Sequence, residues 1–308
     1  MTVRMIGAAE VAERLTYPVC IELMRNAMIA LSMGRTKQLL RGIIDLDDGN
    51  AFGVMPGALA DGPFGAKLVS VFPGNVAHGG LSHQGLVMLF DPKSGAPTAV
   101  IDAGTLTGIR TAAASAAATD ALARADATHL AVLGTGEQAQ RHIEAIHSVR
   151  PLNRVTIWGR DASRASALAS ALGADVADTV DAAVANADII CTVTGARDPI
   201  LSSAQVRDGT HINAVGSSRA GPAEIANDLV VRARFFADHR EGVLSQGAEF
   251  LSAKAAGLVN DVHILGEIGQ VFAGTLPGRT SVADITLYKS LGSIVQDLAC
   301  AAWLCETA

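Results

Sequence analysis

Three cationic side chains lie within otherwise apolar stretches of the first third of the chain. Arg41 occurs in LLRGII, Lys67 in GAKLVSVF, and Arg110 where a strand-like run gives way to an Ala-rich stretch. Each alone is compatible with a strand-edge cation that reaches water, but a charge in an apolar segment otherwise needs a partner or a ligand. Together they predict a cationic pocket in which two guanidinium groups grip a carboxylate beside a lysine ammonium. That chemistry suits a small α-imino or α-amino acid.

A glycine-bearing loop follows a strand-like run near the centre of the chain. HLAVLG leads into GTGEQA (134–139), a G-x-G-x-x-A pattern, and then into a helix-compatible stretch. In such a loop Gly134 permits a tight turn, Gly136 lets the backbone approach a pyrophosphate, and Ala139 allows close helix packing. The start of the following helix provides an anion site. The pattern therefore predicts dinucleotide binding.

The next strand-like run, VTIWG, ends at Arg160-Asp161, where such folds read the adenosine ribose. A carboxylate there favours NAD by accepting from the 2′-hydroxyl, whereas an arginine pairs with the 2′-phosphate of NADP. Because Arg160 comes first, we expect NADPH to be preferred, with NADH as the alternative. Asp161 also suits the N-cap of the following helix, so a merely structural Arg-Asp pair stays open.

The segments around the three cations predict a helical start followed by a mixed or antiparallel sheet. Residues 7–34 have helical periodicity, and short strand-like runs separated by turns continue to PTAVIDA. The stretch from Thr105 to Ala125 favours a helix. The last segment, from Thr286, has Leu287, Leu291 and Ile294 at helical spacing, and we expect it to be a helix that packs on the first domain.

Residues from about 126 to 260 alternate strand and helix at the lengths of βαβ units, which predicts a doubly wound parallel sheet. The predicted organisation is a dinucleotide-binding domain over residues 116–284. A substrate domain is predicted over residues 1–115 together with 285–308.

Composition narrows the class of protein. The 308 residues include 24 Lys+Arg and 30 Asp+Glu, a net charge of −6, with 49% hydrophobic and 18% charged residues. These values exclude a disordered chain and give no electrostatic footprint for nucleic acid or anionic membrane. Glu10, Glu13 and Arg14 stand where a signal peptide needs apolar residues, so we expect a cytoplasmic protein. The four cysteines and eight histidines have no metal-site spacing, and no metal is predicted.

An ordered series of motifs resembles the ornithine cyclodeaminase/mu-crystallin family over nearly the whole chain. The motifs are GAKLVSVFPGN (65–75), SHQGLVMLFDPKSGAP (82–97), GIRTAAASAAAT (108–119), LGTGEQAQRH (133–142), INAVGSS (212–218) and ADITLYKSLG (283–292). The resemblance implies a homodimer. It also implies an α/β fold in which a Rossmann-type doubly wound sheet is inserted into a second, α+β substrate and dimerisation domain.

The resemblance also implies roles for individual residues. Arg41, Lys67 and Arg110 fall on the family's substrate-binding cations. The cofactor contacts it implies are Ser82, Thr111, Gly134, Gly136, Glu137, Gln138, Arg160, Val215 and Gly216.

One position departs from the family's cyclodeaminases. After their Asn-Ala-Val-Gly strand these enzymes carry an aspartate that serves as acid and base at the amine, whereas this chain has Ser218 there. A serine hydroxyl is a poor general base without an activating neighbour. The Gly-x-Ser-Arg version is similar to that of ketimine and pyrroline-2-carboxylate reductases in the family, and we predict catalytic roles for Lys67 and Ser218.

The resulting hypothesis is an NAD(P)H-dependent reductase of a cyclic ketimine carboxylate. The predicted substrate is Delta(1)-pyrroline-2-carboxylate, reduced to L-proline, with the six-membered piperideine analogue as a second. One alternative is an ornithine cyclodeaminase or an enzyme of the alanine dehydrogenase type. Another is a non-catalytic protein that binds NADPH and a small ligand.

Overall fold

The computed structural model describes residues 3–60 and 62–306, apart from the side chains of residues 76 and 77. The chain divides into two units. The first comprises Met1–Arg110 with Ser293–Ala308, and the second comprises Thr111–Gly292. Relative to the predicted domains, both boundaries move, from 115/116 to 110/111 and from 284/285 to 292/293.

The strands of the first unit form one mixed sheet. In chain order they are β1 (Arg4–Ile6), β2 (Lys37–Gln38), β3 (Gly42–Asp45), β4 (Ala51–Ala58), β5 (Phe64–Val71), β6 (His83–Phe90) and β7 (Pro97–Asp102). The spatial order is β1-β7-β6-β5-β4-β2, with β3 also paired to β4. Only the β1–β7 pair is parallel among the described strands of this sheet. The prediction of a mixed sheet is therefore confirmed.

The strands of the second unit are all parallel. They are β8 (His129–Leu133), β9 (Arg154–Trp158), β10 (Asp175–Val176), β11 (Ile189–Thr192), β12 (His211–Ala214), β13 (Arg234–Ala237), β14 (Ile264–Glu267) and β15 (Thr286–Lys289). Their order is β10-β9-β8-β11-β12-β15-β13-β14. The chain thus builds outward from β8 in both directions, which is the doubly wound arrangement predicted from the sequence.

The helices cover these sheets or connect their strands. In chain order they are α1 (Ala8–Arg14), α2 (Tyr17–Ser32), α3 (Ala103–Leu122), α4 (Glu137–His147), α5 (Ala162–Leu172), α6 (Val180–Val184), α7 (Asn227–Arg232), α8 (Arg240–Gln246), α9 (Ala248–Ala255), α10 (Ile268–Phe272) and α11 (Ile294–Glu306). Short 3-10 helices occupy Asp47–Gly49, Pro73–His78, Ser203–Gln205 and Asp261–His263. Among the described residues, no helix is long and apolar enough to cross a membrane.

The two faces of the first sheet differ. Helix α11 packs against β4, β5, β6 and α2, and the strand residues beneath it, such as Met55, Val87 and Leu89, are buried. Because alternate strand residues point to opposite faces, their neighbours Phe64 and Leu86 lie on the other face. Phe64, Leu86 and Met5 are all exposed there. Within the described residues of the first unit, α11 therefore covers one apolar face of the sheet, and the other face, here called the uncovered face, has exposed apolar side chains.

The predicted helix from Thr286 is wrong in its first part. Thr286–Lys289 is β15, which pairs with β12 and β13, and the helix α11 begins only at Ile294. A short, fully buried apolar run fits helical and strand spacing equally well. The spacing around Leu287 is therefore also compatible with an extension of the helix that follows. The pairing of β15 explains why the second unit extends to Gly292.

Candidate functional site

Two of the three predicted cations meet on a buried carboxylate in the first unit. Lys67 Nζ lies 3.0 Å and Arg110 Nε 3.2 Å from Asp297 Oδ1. Lys67 Nζ also donates to the Thr107 hydroxyl at 2.5 Å, and Arg110 Nη1 donates to Gln296 Oε1 at 2.9 Å. Lys67 and Arg110 are about one-twentieth exposed and Asp297 is fully buried. We call Lys67, Arg110 and Asp297 the cationic cluster.

Three elements position this cluster. Lys67 lies at the centre of β5 on the covered face of the sheet, paired in register with Met55 and Val87. Arg110 lies on α3, one turn after Thr107, so both side chains share one face of that helix. Asp297 lies in the first turn of α11, the helix that covers the same face of the sheet.

The charges of the cluster shift each other's pKa. The pKa of Lys67 is lowered to about 8, chiefly by burial; the charges of Arg110 and Arg41 also lower it, and Asp297 opposes them. Burial alone would raise the pKa of Asp297, but Arg110 and Lys67 outweigh it, so that pKa lies below its ordinary value. Lys67 is therefore an unusually acidic ammonium, and Asp297 remains ionised.

Arg41 joins the cluster electrostatically. It lies in the segment between β2 and β3 and is half-buried, so the expectation of an arginine within a strand is wrong. Its charge is nevertheless close enough to lower the pKa of Lys67. The structure thus brings all three predicted cations into one region of the first unit.

Sequence reasoning missed the carboxylate that holds this region together. Asp297 and its neighbour Gln296 interrupt the apolar stretch IVQDLACAAWL, and both are fully buried. A charge in an apolar helix needs a partner for the same reason as a charge in an apolar strand. Asp297, in the apolar sequence of α11, meets the same condition as the three cations and is therefore also predictable as a buried, paired charge.

The predicted dinucleotide loop connects β8 to α4 in the second unit. Gly134 has a φ of +135°, and a Cβ there would lie 2.7 Å from the Val193 carbonyl oxygen, so only glycine fits this turn. Around Gly136, by contrast, a Cβ would meet no atom within 4 Å. Gly136 is the N-cap of α4 and, in the described chain, no side chain caps that helix start. Its backbone N–H groups can therefore bind a pyrophosphate, and Glu137 and Gln138 form the first turn.

The Arg160-Asp161 pair follows β9, the neighbour of β8. Asp161 is the N-cap of α5: its Oδ1 accepts from the Ser163 N–H at 3.0 Å and the Arg164 N–H at 3.2 Å. The hydrogen bond from the Ser163 side chain lowers the pKa of Asp161. Arg160 is exposed. The capping role that the sequence left open for Asp161 is thus observed.

A second loop of predicted residues follows β12. The Val215 N–H donates to the Thr192 carbonyl at 3.0 Å, and the Gly216 N–H donates to Glu224 Oε2 at 2.7 Å. Ser218 comes two residues later and is half-buried. Since β8, β9, β11 and β12 are parallel, these loops all lie at the carboxyl edge of the sheet, where doubly wound folds bind dinucleotides.

The two remaining predicted contacts lie elsewhere. Ser82 directly precedes β6 in the first unit, and its hydroxyl lies 2.9 Å from His83 Nδ1. Thr111 lies on α3, just after the boundary between the units, and is buried. Among the described residues, no group of three or more His, Cys, Asp and Glu side chains is arranged to hold a metal ion.

Comparison with known proteins places this geometry in a family. The family model for the ornithine cyclodeaminase/mu-crystallin family matches residues 2–308. The chain is 36% identical over 272 residues to the ketimine reductase mu-crystallin of Rattus norvegicus, covering 87% of this chain and 84% of that protein.

Two solved structures are similar over their whole length. The Delta(1)-pyrroline-2-carboxylate reductase of Thermococcus litoralis, in complex with NADH and L-proline, matches with a TM-score of 0.95 at 29% identity, covering 99% of this chain and 97% of that one. An archaeal alanine dehydrogenase dimer with bound NAD matches with a TM-score of 0.94 at 27% identity, covering 100% and 96%. The predicted resemblance is confirmed, and the chain belongs to the ornithine cyclodeaminase/mu-crystallin family.

Proposed function

We propose that this chain is an NAD(P)H-dependent oxidoreductase that reduces the C=N bond of cyclic ketimine carboxylates. The preferred substrate is Delta(1)-pyrroline-2-carboxylate, which yields L-proline, and the piperideine analogue yields L-pipecolate. The observation that carries this proposal is the cationic cluster, in which Arg41 adds a third cation around a single carboxylate. An excess of buried positive charge is suited to a substrate carboxylate.

The three cations have different roles in the proposed reaction. Arg110 and Arg41 hold the substrate carboxylate, because guanidinium groups bind carboxylates through paired hydrogen bonds. Lys67 transfers a proton to the ring nitrogen, which converts the imine into a better hydride acceptor. When bound, the dihydronicotinamide would supply a hydride, with its two electrons, for the imine carbon. The C=N double bond thereby becomes a C–N single bond, and Lys67 regains its proton from water.

The low pKa of Lys67 suits this role. A general acid is most effective when its pKa lies near the working pH, and burial brings the pKa of Lys67 to about 8. Ser218, at the position of the cyclodeaminase aspartate, has no charge to accept a proton from an amine. In this proposal its hydroxyl oxygen accepts a hydrogen bond from the protonated ring nitrogen or from a water beside it.

NADPH is the proposed preferred cofactor. The helix start after Gly136 holds the pyrophosphate, and Arg160 pairs with the 2′-phosphate. Asp161 competes little for the ribose because its Oδ1 is already engaged as the N-cap of α5. The structural relatives named above carry NADH or NAD, so NADH is the alternative for this chain.

The function is tested by following the absorbance of NADPH and NADH with the five- and six-membered cyclic imines. We expect oxidation of the dinucleotide together with formation of L-proline or L-pipecolate. Reduction of NAD with L-alanine but no turnover of imines would instead assign an amino-acid dehydrogenase, as in the archaeal relative. Release of ammonia from ornithine would assign a cyclodeaminase. Dinucleotide binding without any turnover would assign a binding protein.

We further propose that the uncovered face of the first sheet seats a second copy of the chain. Phe64 and Phe90 stack there with ring centroids 5.3 Å apart, and Leu86, Ile44 and Met5 are exposed around them. A large exposed apolar patch is typical of an interface, and the archaeal relative is a dimer. Light scattering should give a dimer for the wild type and a monomer for Phe64→Lys/Leu86→Lys. A monomeric wild type would overturn this proposal.

A further inference from the structure

Three further charged side chains are buried at the carboxyl edge of the second sheet, and the chemistry proposed above does not use them. Glu224 follows β12, Glu249 lies in the first turn of α9, and Lys289 ends β15. None is more than 1% exposed. Because burying charges is unfavourable unless they are paired and hydrogen-bonded, their placement at this edge needs a physical reason.

Glu224 links the loops that follow two neighbouring strands. Its Oε1 accepts from the Thr194 N–H at 2.6 Å and the Thr194 hydroxyl at 2.7 Å, beyond the end of β11. Its Oε2 accepts from the Thr192 hydroxyl at 2.8 Å and the Gly216 N–H at 2.7 Å. The fit is so close that a Cβ on Gly216 would lie 2.5 Å from Oε1. Glu224 therefore fixes the Gly216 backbone relative to the neighbouring strand end.

Lys289 and Glu249 hold the next residue of the same loop. Lys289 Nζ donates to the Ser217 carbonyl oxygen at 2.7 Å and lies 2.7 Å from Glu249 Oε2. Glu249 Oε1 in turn accepts from the Glu224 N–H at 3.2 Å. Buried charged side chains thus hydrogen-bond to the Gly216 N–H and to the Ser217 carbonyl oxygen, immediately before Ser218. We call Glu224, Glu249 and Lys289 the loop network.

The opposite edge of the same unit offers a comparison. Asp188 is also a buried carboxylate that accepts from backbone N–H groups, those of Thr128 and His129, at 2.9 and 3.0 Å. It pairs with Arg124 at 2.7 Å and also with Arg207. These contacts lie at the amino end of β8, away from every predicted cofactor or catalytic residue of this unit. Asp188 therefore serves as a structural control for the loop network.

We propose that the loop network is a positioning device for the reaction: Glu224, Glu249 and Lys289 set the backbone of Gly216 and Ser217 so that the Ser218 hydroxyl is held in its productive place. This inference rests on the proposed reductase function. Glu224, Glu249 and Lys289 touch neither substrate nor cofactor in this proposal, yet they affect turnover. The reason is that misplacing a reacting group by about 1 Å can cost on the order of 100-fold in rate.

The network could instead serve only to balance buried charge, and a pair of variants separates these roles. Lys289→Met removes both the donor to Ser217 and the partner of Glu249, so it should lower stability and turnover together. In Lys289→Met/Glu249→Gln the carboxylate that pairs with Lys289 is replaced by a neutral amide and Glu224 keeps its four hydrogen bonds, but the donor to the Ser217 carbonyl is still missing. A positioning role predicts that the double variant regains its unfolding temperature while kcat stays at least about tenfold below wild type.

Three measurements complete the test: the unfolding temperature, kcat and KM for the cyclic imine, and the dissociation constant of NADPH. The NADPH constant should change less than about threefold, since the pyrophosphate loop is intact and Glu224, which holds the Gly216 N–H, is unchanged in both variants. Hydrogen exchange of the 216–218 amides should accelerate in both variants. Asp188→Asn should lower the unfolding temperature while kcat and this exchange stay at wild-type values.

Recovery of wild-type kcat in the double variant, or unchanged exchange at 216–218, would overturn the positioning role. If the wild-type enzyme turns over no cyclic imine, the proposed function fails on that result alone. The exchange experiment still decides whether the loop network fixes the backbone before Ser218.

Discussion

The two units each bury a three-membered group of charges, and the groups have opposite balance. In the cationic cluster, Lys67 and Arg110 share one oxygen of Asp297, so positive charge is in excess. In the loop network, Glu224 and Glu249 face the one ammonium of Lys289, and much of their bonding is to backbone groups. Both oxygens of Glu224 accept hydrogen bonds, and Glu249 Oε2 lies 2.7 Å from the Lys289 ammonium.

This difference separates binding from positioning. A group with an excess of positive charge retains the capacity to bind an anionic ligand. A group whose charges end on backbone amides and carbonyls fixes the shape of the chain and has little left for a ligand. The comparison predicts that variants in the cationic cluster change substrate binding, proton transfer and their pH dependence. Variants in the loop network should lower turnover with little change in cofactor affinity.

The largest effect is expected at Lys67. Lys67→Met keeps most of the side-chain volume but removes the proposed proton donor, and kcat/KM for Delta(1)-pyrroline-2-carboxylate should fall about a thousandfold. Steady-state kinetics with NADPH measures this directly. Lys93→Met, at an exposed lysine of the same unit, is the control and should retain wild-type kinetics. Full turnover by Lys67→Met would remove the assigned role.

Asp297 should have the next largest effect and a distinctive pH signature. Protonated Lys67 is the active form, so kcat/KM in the wild type should decline above pH about 8. Asp297 raises the pKa of Lys67, and its removal therefore moves the decline to lower pH. Asp297→Asn should also lower kcat/KM about 100-fold and the free energy of unfolding by about 3–5 kcal/mol, because buried cations lose their counterion.

The pH profile of Asp297→Asn is compared with that of the wild type on the same substrate, so that ionisation of the imine affects both curves equally. A decline that stays near the same pH in the variant would mean that Lys67 is not the group that titrates. A variant that is destabilised but kinetically normal would make Asp297 a structural residue only.

Arg41 tests whether the third cation belongs to the cluster in function as well as in charge. It is half-buried and lies between strands, so its removal should cost little stability. Arg41→Ala should raise KM for the imino acid about tenfold and change kcat little, because in this proposal it binds the carboxylate of the substrate and of the transition state alike. Arg35→Ala, at an exposed position of the same unit, is the matched control. An unchanged KM would mean that Arg110, without Arg41, binds the substrate carboxylate.

The local pattern of apolar residues and glycines in the sequence predicted much of this fold. The alternation of strand and helix after residue 126 predicted the parallel sheet, and the glycine pattern identified the turn at Gly134, whose φ of +135° only glycine adopts readily. The family resemblance rests on motifs spread over the whole chain. The strand β15 was missed because a buried four-residue run has no periodicity that distinguishes it from a helix.

The buried charges differ in how clearly the sequence indicates their burial. Glu224 and Glu249 occur in short mixed stretches, PAEIAN and GAEFLS, without a long apolar run around the charge, and both are buried in the folded chain. Lys289 and Asp297, in contrast, interrupt apolar runs and satisfied the criterion that selected Lys67. A long apolar run around a charge is therefore a sequence signal for burial, which identified Lys67 and was overlooked at Lys289 and Asp297, whereas burial that arises from distant segments gives no such signal.

The smallest effect is expected at Arg160, an exposed cation outside both buried groups. Since it would pair only with the 2′-phosphate, Arg160→Ala should raise KM for NADPH about tenfold and leave KM for NADH and kcat unchanged. High salt should reduce the difference between wild type and variant, because an exposed ion pair is screened. Arg154→Ala, at the opposite end of β9 and paired with Asp175, is the control. Equal changes with both dinucleotides would show that Arg160 does not read the phosphate and would leave NADH as the cofactor.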